Sequence, residues 1–127
     1  MKQFLHYIIK ELKSFNHAFR GIKFLSKDHN YHFHFPVGIF VFLLAWYFGI
    51  SREEWLWIIL ATGLIWLSEA FNTAIEKTID LVHPELHPLA GKVKDIAAAA
   101  VFIAVLISGA IGILIFYPHF YDFIMAF

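Results

Sequence analysis

From Trp55 to Ser68 fourteen consecutive residues are apolar or small, and the next twelve place Glu69, Asn72, Glu76 and Asp80 at i, i+3, i+7 and i+11. A helix turning about 100° per residue gathers those four within roughly an 80° arc, one polar stripe at the end of an apolar rod. Carboxylates in or beside a membrane span are costly, so the stripe reads as a functional site. The composition agrees with a membrane setting. The chain is 60% hydrophobic and only 16% charged, against about a quarter charged in soluble domains. Its formal net charge is zero, which removes the basic field expected of a nucleic-acid binder. With no cysteine, disulfides and thiolate chemistry are excluded.

The 127 residues predict one domain, 1–127, without internal repeats. Leu5, Ile8, Leu12, Phe15, Phe19 and Ile22 recur at spacings of three and four, with Lys2, His6, Lys10, Lys13, His17 and Arg20 opposite. This basic amphipathic pattern predicts an interfacial helix over about 1–27, or one packed on a partner protein. The polar segment SKDHNYHFH then precedes a first span over about 33–50. No secretory signal peptide is expected, because that first apolar run follows a charged segment and lacks a small-residue cleavage site. Ser51 and Glu54 form a capping-box pattern ahead of a second span, about 54–81. The segment HPELHPLAG, with Pro84, Pro88 and Gly91, breaks the chain before a third span over about 92–117. There Ala100, Ala104, Ser108 and Gly112 predict a small-residue packing face, and Pro118 predicts the end of the helix. The tail after Pro118, aromatic with Asp122 its one charge, is expected at the interface. The fold class is therefore all-α integral membrane, an interfacial helix followed by three transmembrane helices.

Six Lys and Arg precede the first span, and Lys77, Lys92 and Lys94 flank the second loop; the first loop carries only Arg52. The N-terminus and the second loop should then be cytoplasmic. Counting from Trp55 at about 1.5 Å per residue, Glu69 lies about 21 Å into the span and Glu76 about 31 Å. Against a hydrocarbon core of about 30 Å, one carboxylate sits at headgroup depth and the other meets water. That arrangement suits chemistry between a lipid and a soluble substrate. Glu69 and Glu76 fit a general base with a Mg²⁺ ligand, and equally a proton or ion relay, or a pair buried for assembly. Lys94-Asp95 fits a phosphate contact at a helix start, or a cytoplasmic anchor. His29, His32 and His34, and the pair His83/His87, specify too little geometry for a metal site and read as interface histidines. No GxxxxGK[ST], HRD or DFG motif is present, so the familiar soluble kinase architectures are excluded.

The runs Glu69-Ala70-Phe71-Asn72-Thr73-Ala74-Ile75-Glu76, Asp80, and Lys94-Asp95-Ile96-Ala97-Ala98-Ala99-Ala100-Val101 resemble the signature of the prokaryotic diacylglycerol kinase family, which includes the undecaprenol kinases. The resemblance extends from about Phe15 to the third span. It implies a homotrimer with composite active sites between protomers, in the bacterial inner (cytoplasmic) membrane. It also implies Mg²⁺-dependent transfer of the ATP γ-phosphoryl group to the hydroxyl of a membrane lipid alcohol. Carried over by position, Glu69 resembles the general base and also a substrate contact, and Glu76 a metal ligand. Asn72, Glu76, Lys94 and Asp95 would line the nucleotide site, with Glu85, Leu86 and His87 nearby, and Ala98 would touch lipid. Phe19-Arg20-Gly21-Ile22 resembles the family's aromatic-x-Gly-aliphatic segment, which makes Lys10 and His17 nucleotide contacts. Ahead of the first span the family carries a glutamate as second metal ligand. Here Asp28 stands in that role, metal ligand and nucleotide contact, with the charge kept and the reach shortened by about one methylene. NTAIE and HPLAGKVKD resemble the undecaprenol kinases more than the diacylglycerol-specific members. From a different class, a non-enzymatic membrane subunit would use the same stripe for ion conduction or assembly.

Overall fold

The computed structural model describes residues 2–85 and 87–126, and their side chains apart from residues 2, 3, 5–12 and 30. Four helices follow one another: α1 (Lys2–Leu25), α2 (His29–Phe48), α3 (Arg52–Val82) and α4 (Pro88–Met125). The last three are long and apolar enough to cross a membrane. Of α1's apolar stripe, Phe15, Phe19 and Ile22 are exposed, unpacked by the chain's own helices.

The polar segment before the first span is mostly helical, contrary to the expected break up to Phe33. A short turn at Ser26–Asp28 leads into α2 at His29, and the His32 N–H donates to the Asp28 carbonyl. Polar side chains leave the backbone ladder intact, and Tyr31 stacks on Phe35 one turn on, with ring centroids 5.7 Å apart. Pro36 sits inside α2, where its ring removes the N–H that would have bonded back to His32. At the far end Gly49 takes φ +61° and the helix closes with Gly49 N–H to Trp46 and Ile50 N–H to Ala45. This left-handed position favours glycine.

The capping box is present as the sequence predicts. Glu54 N–H donates to Ser51 Oγ at 3.3 Å, and Ser51 N–H donates to Glu54 Oε2 at 2.7 Å. Two elements of the third span differ from expectation. Pro88 opens α4 at its first turn and Gly91 lies inside the helix, so α4 begins four residues before Lys92. Nor does Pro118 end it; α4 runs on to Met125. The proline costs one backbone bond, and tertiary contacts offset that cost. Phe48 lies against Phe116, His119, Phe120 and Phe123, and His119 Nε2 lies 3.1 Å from Glu54 Oε1.

Helices α3 and α4 form the tightest pair, with α2 leaning on α3. The buried α4 face is Ala97, Val101, Ala104 and Ile115, and Ser108 Oγ donates to the Ala61 carbonyl at 2.8 Å. Ala104 and Ser108 belong to the expected small-residue face, but Ala100 is exposed. A strict four-residue repeat drifts by about 40° per step around a 3.6-residue helix, so the seam keeps phase by alternating steps of four and three. The apolar core of Ala45, Ile50, Ile58, Ile115 and Phe116 gathers at the end near Gly49. The polar stripe emerges at the opposite end.

Midway, α2 crosses α3 at Gly38. A Cβ there would lie 2.7 Å from Trp66 Cζ2 and 2.8 Å from Thr62 Cγ2, closer than van der Waals contact permits. Replacing Gly38 by Val should therefore destabilise the fold by about 1–3 kcal/mol, the range for overpacking. Thermal unfolding in detergent should show a lowered midpoint, while Gly63→Ala, whose added Cβ meets nothing within 4 Å, should leave it near that of the parent. Ser51→Ala removes the capping box and should lower stability by about 0.5–2 kcal/mol, read as a lower midpoint in the same assay.

Candidate functional site

The polar stripe of α3 is half buried, and its members differ in environment. Glu69 and Asn72 are each 3% exposed, on the side of α3 turned to the other helices. Glu76, one turn further, is intermediate, and Asp80 is exposed. Asn72 Nδ2 donates to Glu76 Oε1 at 3.1 Å, which fixes the Glu76 carboxylate along the helix. From α2, His34 Nε2 reaches Glu69 Oε1 at 3.0 Å. Two buried oxygens, Glu69 Oε2 and Asn72 Oδ1, have no hydrogen-bond partner among the described residues. A buried oxygen left in that state is costly, and a donor or a cation from outside the protein would relieve it.

Asp28 completes the group from the turn between α1 and α2. Its side chain is mostly buried, 3.8 Å from Lys77 Nζ, and it lies with Glu76 in electrostatic range of Glu69. Three carboxylates and an amide thus converge from α3 and the α1–α2 turn. Among the described residues no three His, Cys, Asp or Glu side chains form a ready cage for a metal. An all-oxygen set of Asp28, Glu76 and Asn72 fits a hard cation that takes one or two carboxylates and completes its shell with phosphates and water. Beside it, Gly21, Leu25, Asp28, Ala70, Thr73 and Lys77 line an open cleft of about 440 Å³ between the end of α1 and α3.

The remaining predicted residues lie around the α3–α4 connection and on α1. Lys94 Nζ pairs with Asp80 Oδ1 across that connection, a bond between two predicted positions that sequence spacing did not reveal. His87 caps α4, its Nδ1 accepting from Leu89 N–H at 3.2 Å, and its ring stacks on His83. Those rings are therefore engaged with each other and with the cap. Among the described residues no hydrogen bond ties Glu85, Asp95 or Ala98 to the carboxylates, and all three are exposed. His17 is exposed on α1, its Nδ1 2.7 Å from Arg20 Nη2. Leu86 and the side chain of Lys10 lie outside the described residues.

The residue that sequence reasoning passed over is His34, read there as one of several interface histidines. The signal was indirect: His34 stands one helical turn before Gly38, where the structure brings α2 onto α3. Trp66 reinforces the register, its indole N–H donating to the His34 carbonyl at 3.3 Å.

Residues 16–116 match the profile of the prokaryotic diacylglycerol kinases. The chain is 42% identical to an undecaprenol kinase of Bacillus subtilis over 107 residues, 84% of this chain and 87% of that protein. It is also 39% identical to a diacylglycerol kinase of Helicobacter pylori over 70 residues, 55% of each chain. With a diacylglycerol kinase of Haemophilus influenzae the identity is 36% over 75 residues, 58% of this chain and 64% of that protein. These matches favour an enzyme over the non-enzymatic subunit. The chain belongs to the prokaryotic diacylglycerol kinase family, and it is a lipid kinase.

Proposed function

We propose that this chain is an ATP- and Mg²⁺-dependent kinase of a membrane lipid alcohol, with Glu69 as general base. The observation that carries the reading is the Glu69 carboxylate, buried, one oxygen held by His34 and the other without a partner among the described residues. That free oxygen is suited to take the proton of a lipid hydroxyl as the hydroxyl oxygen attacks the γ-phosphorus. The bond from phosphorus to the β,γ-bridging oxygen then breaks and ADP leaves. Phosphoryl transfer depends chiefly on positioning and charge stabilisation, and a base held in place at headgroup depth supplies the first. An apolar cavity of about 270 Å³ between α2, α3 and α4, with His34, Val37, Val41, Ile65, Val105 and Gly109 among its walls, offers room for part of a hydrocarbon chain.

Asp28 and Glu76 would hold the Mg²⁺, which when bound neutralises phosphate charge. Asn72, through its Nδ2 donation to Oε1, holds the Glu76 carboxylate along α3. Lys94, paired with Asp80 here, would exchange that carboxylate for a nucleotide phosphate, with Asp95 beside it at the start of α4, whose N-terminal dipole favours anions. Lys10 and His17 of α1, and the Glu85, Leu86 and His87 segment, complete the proposed nucleotide contacts; Ala98 is the proposed lipid contact on α4. The whole chain acts as one domain, 1–127. Large exposed side chains such as Phe40, Trp46, Leu114 and Tyr117 support both lipid contact and a homotrimer that shares its sites between protomers. The setting is the bacterial inner membrane, α1 on the interface and the N-terminus and α3–α4 connection cytoplasmic. The greater coverage and identity of the Bacillus relative favour undecaprenol over diacylglycerol as the acceptor.

Transfer of labelled γ-phosphate from ATP by the purified chain, with undecaprenol and diacylglycerol offered in parallel, tests this reading. Label is expected in undecaprenol; no label in either lipid from folded protein would overturn it. Glu69→Gln should lower turnover by about 10²–10⁴-fold, the range for loss of a general base, with the variant still folded and assembled by size-exclusion chromatography. Chelation of Mg²⁺ should abolish transfer, and Glu76→Gln should raise the Mg²⁺ concentration needed for half-maximal rate; an unchanged Mg²⁺ titration would remove Glu76 as a ligand.

A further inference from the structure

Among the described residues, His34 is the side chain from another helix that meets the Glu69 carboxylate. Its Nε2 lies 3.0 Å from Oε1, with the His34 side chain 20% exposed and that of Glu69 4%. An ionised carboxylate only accepts hydrogen bonds, so in that state Nε2 carries the hydrogen and donates it. The ring is held from several sides. Phe33 meets it edge-on with centroids 5.3 Å apart, the Trp66 indole N–H fixes its backbone carbonyl, and Gly38 lets its helix approach α3. With Oε1 engaged, the carboxylate plane is fixed and the lone pairs of Oε2 keep one direction. A carboxylate this buried and otherwise unpartnered would be free to swing about its terminal torsion, which is broad for glutamate.

We infer that His34 is the positioning residue of the phosphotransfer site. Its Nε2–H clamps Glu69 Oε1 so that Oε2 faces the lipid hydroxyl. The inference rests on the reading of Glu69 as base and adds to it a second residue, from a different helix. Its role is to orient the base and supply a donor to its charge; His34 itself does not contact the reacting phosphorus. A purely structural role, a tether between α2 and α3, would act on stability and leave the chemical step alone. The two roles therefore separate experimentally.

The test uses the full chain in detergent micelles, with ATP and whichever of undecaprenol and diacylglycerol accepts label. His34→Phe should lower kcat by about 10–100-fold, as expected when a reacting group loses its alignment, with KM for ATP and for the lipid within twofold of the parent. His34→Gln, whose amide nitrogen can reach the position of Nε2, should recover kcat to within about threefold of the parent. His34→Asn, one bond shorter, should not. In a Glu69→Gln background, His34→Phe should cause no further loss, because the group it orients is already gone. Should His34→Phe fail to fold, the contrast between Gln and Asn carries the same test. A kcat for His34→Phe within twofold of the parent would overturn the inference, as would a Gln variant no better than Asn, or an equal loss in the Glu69→Gln background. A fully active Glu69→Gln would overturn the base assignment itself, whereas an inactive Glu69→Gln beside an unaffected His34→Phe would overturn only the role of His34.

Discussion

The contact on which this site depends is the close crossing of α2 over α3 at Gly38. Because no side chain intervenes, the Trp66 ring and Thr62 methyl pack directly on the α2 backbone. Everything toward the polar end of α3 then follows from helix geometry. One turn back along α2 is His34, and three residues on from Trp66 along α3 is Glu69, so the antiparallel helices bring these two side chains level. A wider crossing would separate them and leave a buried carboxylate with no partner, which the handful of kilocalories that stabilise a domain of this size would not readily offset.

The molecule separates apolar packing from buried polar groups along its length. At the Gly49 end, aromatic rings, the capping box and the Glu54–His119 pair tie three helices together. Along the middle, small residues let α3 and α4 pack closely, in the manner of membrane helices that gain little from burying apolar surface already in lipid. At the other end polar pairs, His34–Glu69 and Lys94–Asp80, take the place of the aromatic rings. There the unpartnered oxygens of Glu69 and Asn72 persist, a cost tolerated because the surrounding packing fixes them.

Much of this was legible in the residues. The stripe Glu69, Asn72, Glu76, Asp80 needed only the helical period, and Ser51 with Glu54 announced a helix start through side-chain chemistry alone. What the sequence concealed was tertiary. Pro118 signals a helix end by local rules, yet Phe48 and Glu54, some seventy residues earlier, hold the chain helical beyond it. The histidines before the first span appear as a polar interruption, because nothing local says that α2 begins at His29. Ala100 fits a four-residue repeat but not the true seam, which is set by the partner helix. The pairing of His34 with Glu69 depends on a crossing point that no single segment encodes.

That crossing also sets an order on biosynthesis. Chains emerge N-terminus first, so α2 is complete before the helix that receives it. Its face at Gly38 stays a bare groove until Thr62 and Trp66 arrive. α4 then closes on α3 to make the tightest helix pair in the molecule. The α2 side of the His34–Glu69 pair is therefore made early: a nascent chain ending before Glu69 carries His34 without its partner. The polar stripe follows only with the last turns of α3, after the apolar part of that helix is already made.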